Sequence, residues 1–111
     1  MIIVRRLASA AALALVMSAP ATAAEDLTPD LAAGEERYRV NCVNCHGRTG
    51  RGMAAFPSVA GHDADYIADR LHSYRAREMV GPNSALMFSL ADALTDQEIA
   101  NLAAFIADSF P

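Results

Sequence analysis

Cys42-Val43-Asn44-Cys45-His46 contains both cysteines of this 111-residue chain. The two thiols lie three residues apart, within one helical turn, and an imidazole follows directly. Just before this stretch, Gly34 and Tyr38 fall on one face at helical spacing. The segment 43–62 is rich in glycine and proline and predicts a loop. No alternating pattern of a β-strand is visible, so the sequence predicts an all-α chain.

The pattern Cys-x-x-Cys-His is the attachment motif of c-type haem. In this chemistry the thiols of Cys42 and Cys45 alkylate the two vinyl groups of the ring. His46 then lies beneath the iron and supplies a nitrogen as the proximal ligand. The sequence therefore predicts one haem c, held covalently by these two cysteines.

Three other uses of the same residues compete with haem. A thioredoxin-like dithiol normally stands at a helix start in a βαβ setting, which this sequence lacks. A structural zinc site needs four ligands, and His62 and His72 lack the usual paired spacing. A plain disulfide is compatible with an oxidising compartment. The histidine that follows the second cysteine, the export signal described next and the helical pattern all favour haem.

The first 24 residues have the three parts of a secretory signal. Arg5 and Arg6 precede an apolar run of 11 residues over 7–17, and small residues follow up to Ala24. Because spanning a bilayer takes roughly 20 apolar residues, the run predicts a cleaved signal and no membrane anchor. We therefore expect a signal peptide over 1–24, a mature cytochrome c domain over 25–111 and a periplasmic location.

The net charge and the length of the chain further limit the functions that it can have. The whole chain has a formal net charge of −4, and the signal removes two of nine basic residues but none of the 13 acidic ones. An acidic mature chain argues against nucleic acid as a partner, since phosphate binding needs a basic surface. A domain this small has a thin hydrophobic core, and a covalently held group would stabilise it.

Helix signals place three main helices around the motif. Thr28-Pro29 predicts the start of the first, with Leu31, Gly34 and Tyr38 on its buried face. Asp63 or Asp65 predicts the start of the second, which should run to about Arg77. Residues 83–94 predict a short helix or turn. The predicted buried stripe of the second helix is Ala64, Ile67, Leu71 and Tyr74.

The capping box Thr95-x-x-Glu98 predicts the start of the last helix, which should end near Ser109. One face of this helix is apolar and should be buried. That face consists of Ile99, Leu102, Ala103, Ile106 and Phe110.

The order of these parts resembles the small soluble class I cytochromes c of bacteria over residues 28–109. The resemblance rests on Gly34, Tyr38, the haem motif, Phe56-Pro57-Ser58-Val59-Ala60-Gly61, Tyr66 and Leu102-Ala103-Ala104-Phe105-Ile106. It implies the class I cytochrome c fold, with three main helices and loops wrapped around one covalent haem. It also implies that the first and last helices cross at Gly34, with Phe105 or Tyr38 packed there. Pro57 resembles the family proline whose carbonyl accepts the second ring N–H of the haem histidine.

The same resemblance implies a methionine sulfur as the sixth ligand of the iron. Met53 is too close to His46 in sequence to reach the other haem face, which leaves Met79 and Met87. The family places its ligand shortly before the last helix, where Met87 stands. Met79 is the main alternative, and His62 and His72 are weaker ones.

The sequence predicts an electron carrier and not an enzyme, because a six-coordinate iron leaves no open position for a substrate. The partners would be redox proteins, such as a flavoprotein dehydrogenase or a terminal oxidase, and no stable membrane anchor is expected. The chain is also similar to the cytochrome subunit of flavocytochrome c sulfide dehydrogenase, which makes a subunit of a larger oxidoreductase the second hypothesis. A peroxidase or gas-binding haem is the third.

The charged residues give two indications about the surface of a redox partner. The net acidity suggests a partner with a basic surface. Arg48 and Arg51 follow the motif directly and would steer a partner, pair with a haem propionate or simply face solvent.

Overall fold

The computed structural model describes residues 14–19 and 26–111. Residues 14–19 are exposed and have no regular secondary structure, and the rest of the predicted signal peptide lies outside the described residues. The cleavage site and the domain boundary at residue 25 therefore stay predictions.

Five helices and no strand occupy the described part of the chain. They are α1 (Leu31–Asn41), α2 (Val43–His46), α3 (Ala64–Arg75), α4 (Ala85–Asp92) and α5 (Asp96–Ser109). The predicted all-α class is confirmed, and α1, α3 and α5 are the three main helices. The segment 43–62, predicted as a loop throughout, begins with the single helical turn α2. The region 83–94 contains the short helix α4.

The first helix starts later than Thr28-Pro29 predicts. Asp30 is its N-cap, and its side chain accepts a hydrogen bond from the backbone N–H of Ala33 at 3.0 Å. Aspartate caps a helix at least as well as threonine, and it lies closer to the helix here. The carbonyl of Thr28 instead accepts a hydrogen bond from Gln97 at 3.0 Å. Leu31, predicted to be buried, is 46% exposed.

The ends of the other main helices follow local signals. Asp63 caps α3, and the capping box of Thr95 and Glu98 is formed at the start of α5, as predicted. Helix α3 ends at Arg75 and not Arg77, because Arg77 adopts a left-handed conformation with φ of 59°. A left-handed residue cannot continue a right-handed helix.

Helices α1 and α5 cross at Gly34, as the resemblance implies. A Cβ atom at Gly34 would lie 2.2 Å from the carbonyl oxygen of Asn101 in α5. No side chain fits this crossing, which explains a residue that is otherwise unfavourable in a helix. The rings of Tyr38 and Phe105 pack beside it with their centroids 5.6 Å apart.

The hydrophobic core lies where α1, α3 and α5 meet. Its buried members come mainly from the predicted stripes, whereas Ala64, Tyr74 and Phe110 are only partly buried against it. The buried core residues are Tyr38, Ile67, Leu71, Leu94, Ile99, Leu102, Ala103 and Ile106. In the described part of the chain, no helix has the length and apolar character needed to cross a membrane.

Candidate haem site

One cavity brings together all five residues that the sequence assigns to the site. It has a volume of about 470 Å³, and its lining includes Cys42, Cys45, His46, Pro57 and Met87. This volume is within the range of cofactor and small-molecule sites, which are largely apolar with a few placed polar groups. The remaining lining residues come from α1, α3, α4 and α5 and from the segments between the helices.

The two thiols are held by the break between α1 and α2. The backbone N–H of Cys42 closes α1 on the carbonyl of Tyr38, and the carbonyl of Cys42 accepts a hydrogen bond from the N–H of His46. Both cysteines are free and partly buried. Burial raises the pKa of the Cys42 thiol to about 11, although the nearby Arg37 acts in the opposite direction.

This pKa bears on the alternative of a redox-active dithiol. Reactive cysteines have a lowered pKa, because the thiolate is the nucleophile. The raised pKa of Cys42 is the opposite of what a thioredoxin-like site needs.

Within 14–19 and 26–111, no group of three or more Cys, His, Asp or Glu side chains is arranged to hold a metal ion.

His46 is buried, and a hydrogen bond fixes its ring. Its Nδ1 lies 2.7 Å from the carbonyl oxygen of Pro57. Since a carbonyl oxygen only accepts, Nδ1 carries the proton in this contact, and Nε2 keeps its lone pair for a metal ion. A hydrogen bond from the second ring nitrogen to a carbonyl orients the ring and makes it a stronger ligand. The carbonyl of His46 also accepts a hydrogen bond from the N–H of Gly52 at 2.8 Å.

The loop after His46 is packed against the end of α5. Gly50 has a φ of 68°, and a Cβ atom there would lie 2.5 Å from the ring of Phe110. The N–H of Gly61 donates to the carbonyl of Phe110 at 2.9 Å. The hydroxyl of Tyr38 donates to the carbonyl of Gly47 at 2.6 Å. Contacts from both α1 and α5 therefore hold the loop that presents Pro57 to His46.

The methionines differ clearly in their surroundings. Met87, in α4, is partly buried, lines the cavity and packs against the core. Met79 is 59% exposed and Met53 is 50% exposed, and neither lines the cavity. Of the three methionines downstream of His46, Met87 is thus the one whose side chain meets the same cavity as His46.

Of the two remaining histidines, one lines the cavity and the other does not. His62 lines the cavity, and its ring stacks on Tyr66 with the centroids 4.1 Å apart. His72 is exposed on α3, with Nδ1 3.0 Å from a guanidinium nitrogen of Arg75. Arg70 also lies over the Tyr66 ring, 5.0 Å from its centroid, so His62, Tyr66 and Arg70 form one group at the cavity wall.

The sequence analysis missed Ser84, which holds the turn that precedes Met87. Ser84 is buried, and its Oγ accepts hydrogen bonds from the N–H groups of Val80 and Gly81 at 3.0 and 2.9 Å. Its carbonyl accepts the N–H of Met87 at 2.9 Å. A serine just after Gly81-Pro82-Asn83 is a typical turn residue. This signal was present in the sequence, but it did not indicate a role near the site.

Comparison with known proteins places the chain among characterised relatives. The family model described as Cytochrome c matches residues 31–109. Cytochrome c-554(548) of Halomonas halodenitrificans is 40% identical over 77 residues, covering 68% of this chain and 92% of the relative. The thiosulfate dehydrogenase electron acceptor of Stutzerimonas stutzeri is 36% identical over 74 residues, covering 66% of this chain but 34% of that protein.

A solved structure agrees with the fold. Reduced recombinant cytochrome c4 from Pseudomonas stutzeri superposes with a TM-score of 0.60 at 23% identity. The alignment covers 75% of this chain and 50% of that one, so the present chain spans about half the length of this structural relative. At this identity the similarity shows the shared fold.

Proposed function

Since the chain belongs to the cytochrome c family, whose members transfer electrons, we propose that it does so with one haem c. Cys42 and Cys45 would hold the haem covalently, and His46 and Met87 would be the ligands of its iron. The observation that carries the proposal is one cavity lined by both thiols, the oriented imidazole and the Met87 side chain.

The residues present fit this cofactor. Two thiols stand at the attachment spacing, and the Nε2 of His46 is left free by the contact of its Nδ1 with Pro57. The cavity is mainly apolar, and part of that surface comes from exposed hydrophobic side chains. Val80, Leu86 and Leu90 line the cavity and are 39–61% exposed, so an apolar ring seated there would bury them.

When bound, the haem supplies the one-electron couple of its iron. The chain's own residues would set where and at what potential this happens. The thioethers of Cys42 and Cys45 would fix the ring position, while the contact of His46 with Pro57 keeps the imidazole in one orientation. A thioether ligand from Met87 favours ferrous iron and raises the potential. If His46 and Met87 both bind the iron, they would leave no position on it for a substrate.

A periplasmic location is part of the proposal. It rests on the signal-like residues 1–24 and on the chemistry of the motif. Fractionation of cells that produce the full chain should recover the haem protein in the periplasmic fraction, with its first residue near Glu25. A protein retained in the cytoplasm without haem would contradict this part of the proposal.

Replacement of Met87 tests the ligation. In Met87→Ala the oxidised protein should lose the sulfur-to-ferric-iron charge-transfer band, and the reduced protein should bind carbon monoxide quickly. Met79→Ala is the matched control, because the same side chain is removed from an exposed position. We expect its spectrum and carbon monoxide binding to equal those of the wild type.

Other outcomes of this experiment would change the proposal in a defined way. An unchanged spectrum in Met87→Ala would overturn the assignment, and loss of the band in Met79→Ala would transfer the role to Met79. Fast carbon monoxide binding by the wild type would favour a peroxidase or gas-binding haem, because it requires an open sixth position.

A second candidate is an electron-accepting subunit of a larger oxidoreductase. The observation that favours it is the similarity to a protein named as the electron acceptor of thiosulfate dehydrogenase. The cytochrome subunit of a flavocytochrome c sulfide dehydrogenase belongs to the same functional class. Affinity purification from the native periplasm distinguishes the candidates: a stoichiometric dehydrogenase subunit supports this second one, and a monomer supports the diffusible carrier.

A further inference from the structure

The arginines of the described domain fall into two groups. Four of them form ion pairs with carboxylates of the same domain. These pairs are Arg37 with Glu98, Arg39 with Glu36, Arg75 with Asp96, and Arg77 with Asp92. Arg48, Arg51 and Arg70 form no ion pair with any residue that the structure describes. Arg70 lies over the ring of Tyr66, whereas Arg48 and Arg51 are exposed.

The sequence around these two arginines contains no negative charge. Every residue from Arg37 to His62 is neutral or basic, although the chain as a whole has more acidic than basic residues. Since Arg37 and Arg39 are paired, Arg48 and Arg51 supply the uncompensated positive charge of this region. The net charge therefore conceals a local basic surface.

An exposed apolar group lies in the same loop. Met53 is 50% exposed, and Ala54 and Ala55 are also exposed. Ala55 lines the haem cavity as well, so the loop surface borders the site. We call residues 48–55 the docking loop. Exposed methionine is adaptable and recurs at surfaces that bind partner proteins.

The docking loop has a defined backbone conformation. Met53 and Phe56 form a two-residue bridge with hydrogen bonds of 3.1 and 2.9 Å. Ala54, between them, has a φ of 47°, in the left-handed region that non-glycine residues avoid. Such a conformation costs about 1–2 kcal/mol and is found preferentially at functional sites. The loop thus presents its methionine and arginines on an ordered surface.

We propose that the docking loop is the contact surface for a redox partner that presents carboxylates around an apolar patch. This inference rests on the proposed electron-transfer function and specifies the partner's surface. It reverses the expectation from net charge, which suggests a basic partner. Arg48 and Arg51 would attract the partner's carboxylates, and Met53 with Ala54 and Ala55 would fill the apolar centre.

The physical basis is local electrostatics. At physiological ionic strength charges are screened over roughly 8 Å, so a partner close to the loop is governed by nearby arginines and not by distant carboxylates. Rim charges mainly raise the association rate, and small interfaces suit transient redox encounters. Contact at Ala55 would also bring the partner to the wall of the haem cavity.

A modified electrode tests the proposal with the haem-loaded protein. The probe is a gold electrode coated with a mixed monolayer of carboxylate- and methyl-terminated alkanethiols. Despite its net acidity, the wild type should adsorb and give a reversible voltammetric signal there, and adsorb less on an amine-terminated monolayer. In Arg48→Gln/Arg51→Gln the apparent affinity for the mixed monolayer should fall at least about tenfold.

The matched control is Arg39→Gln/Arg77→Gln. It changes the net charge by the same amount at exposed side chains that are already ion-paired. Its affinity should stay within about twofold of the wild type. Met53→Ser should weaken adsorption on the mixed monolayer but not on a purely carboxylate-terminated one.

Two results would overturn the proposal: equal losses in both double variants, or stronger binding of the wild type to the amine-terminated surface. Titration with a dissolved mediator separates this failure from failure of the proposed function. If the haem couple is reversible in solution for all variants, electron transfer stands whatever the electrode shows. An absent couple in the wild type would instead contradict the proposed function.

Discussion

The two walls of the haem cavity are built in different ways. The attachment wall comprises residues 42–61, and the methionine wall comprises residues 79–94. In the attachment wall, hydrogen bonds hold the loop and its histidine in place. The Nδ1 of His46 donates to the carbonyl of Pro57, and the hydroxyl of Tyr38 donates to the carbonyl of Gly47. In the methionine wall, apolar side chains such as Leu86 face the cavity while well exposed, and Ser84 organises the turn before them.

The two walls meet different requirements of the site. A ligand that must be oriented is held by hydrogen bonds and tight steric contacts, which tolerate little change. A wall that must exclude water needs apolar area, which many side chains can provide. Substitutions in the attachment wall should therefore affect folding and haem binding together, and those in the methionine wall should affect mainly ligation.

The largest effect should come from removing both anchors of the attachment wall. Cys42→Ser/Cys45→Ser should abolish covalent haem, because serine hydroxyls do not form the thioethers. Haem staining after denaturing electrophoresis measures this directly. Met87→Ala, the counterpart in the methionine wall, should keep all of its covalent haem. Equal loss of haem in the two variants would show that both walls are needed for attachment, contrary to the division proposed above.

The next effect should come from Gly52→Ala, also in the attachment wall. Gly52 has a φ of 74°, and a Cβ atom would lie 2.3 Å from the carbonyl of Phe56. Strain and overlap together should lower the free energy of unfolding by about 3 kcal/mol. Gly61→Ala is the control, since its φ is 80° but no atom lies within 4 Å of the added Cβ.

Denaturant unfolding of the haem-loaded variants separates the two glycine substitutions. Gly61→Ala should cost only the strain of the left-handed backbone, about 1 kcal/mol. If both alanine variants lost the same stability, the tight contact at Gly52 would not be a real constraint.

Alkaline pH should weaken the attachment wall through Tyr38. Burial raises the pKa of this phenol to about 12 from its usual 10. The unfolded chain then ionises first as the pH rises, so stability is fully present below pH 10 and falls as the pH approaches 12. The free energy of unfolding of Tyr38→Phe, measured from pH 8 upward, should show a smaller decline. A decline equal to that of the wild type would assign the alkaline sensitivity to other groups.

The last effect concerns the methionine wall, where Ser84 holds the turn before Met87. Ser84→Ala removes the acceptor of the Val80 and Gly81 N–H groups and should cost about 1–2 kcal/mol. Because this turn leads into Met87, its loss should weaken the bond between the Met87 sulfur and the iron. When the pH is raised, the charge-transfer band of Ser84→Ala should therefore disappear at a lower pH than that of the wild type. Ser89→Ala, at an exposed position of the same helix, should leave both properties unchanged.

Local signals account for what the sequence predicted well. Asp63, Thr95 and Glu98 act within one turn of the helices they cap, so their roles follow from short spacing. The haem motif is local in the same sense. Pro57 and Gly34 came from a family resemblance, and their contacts are present in the structure.

What the sequence did not predict depends on contacts between distant residues. The exposure of Leu31 follows from how α1 crosses α5, which brings Gly34 and Tyr38 inward instead. The pairing of Arg37 with Glu98 joins residues of two helices that are far apart in sequence. The uncompensated charge of Arg48 and Arg51 emerges only after such pairs are known.

The packing of Phe110 on Gly50 also has a consequence for biosynthesis. In the proposed export the chain would emerge from its N-terminus, so Cys42–His46 would appear before Phe110. Until the last helix follows, the loop after His46 lacks the ring and the carbonyl that hold Gly50 and Gly61. The thiols would therefore still be accessible for haem attachment at that stage, and the final residues would close the loop afterwards.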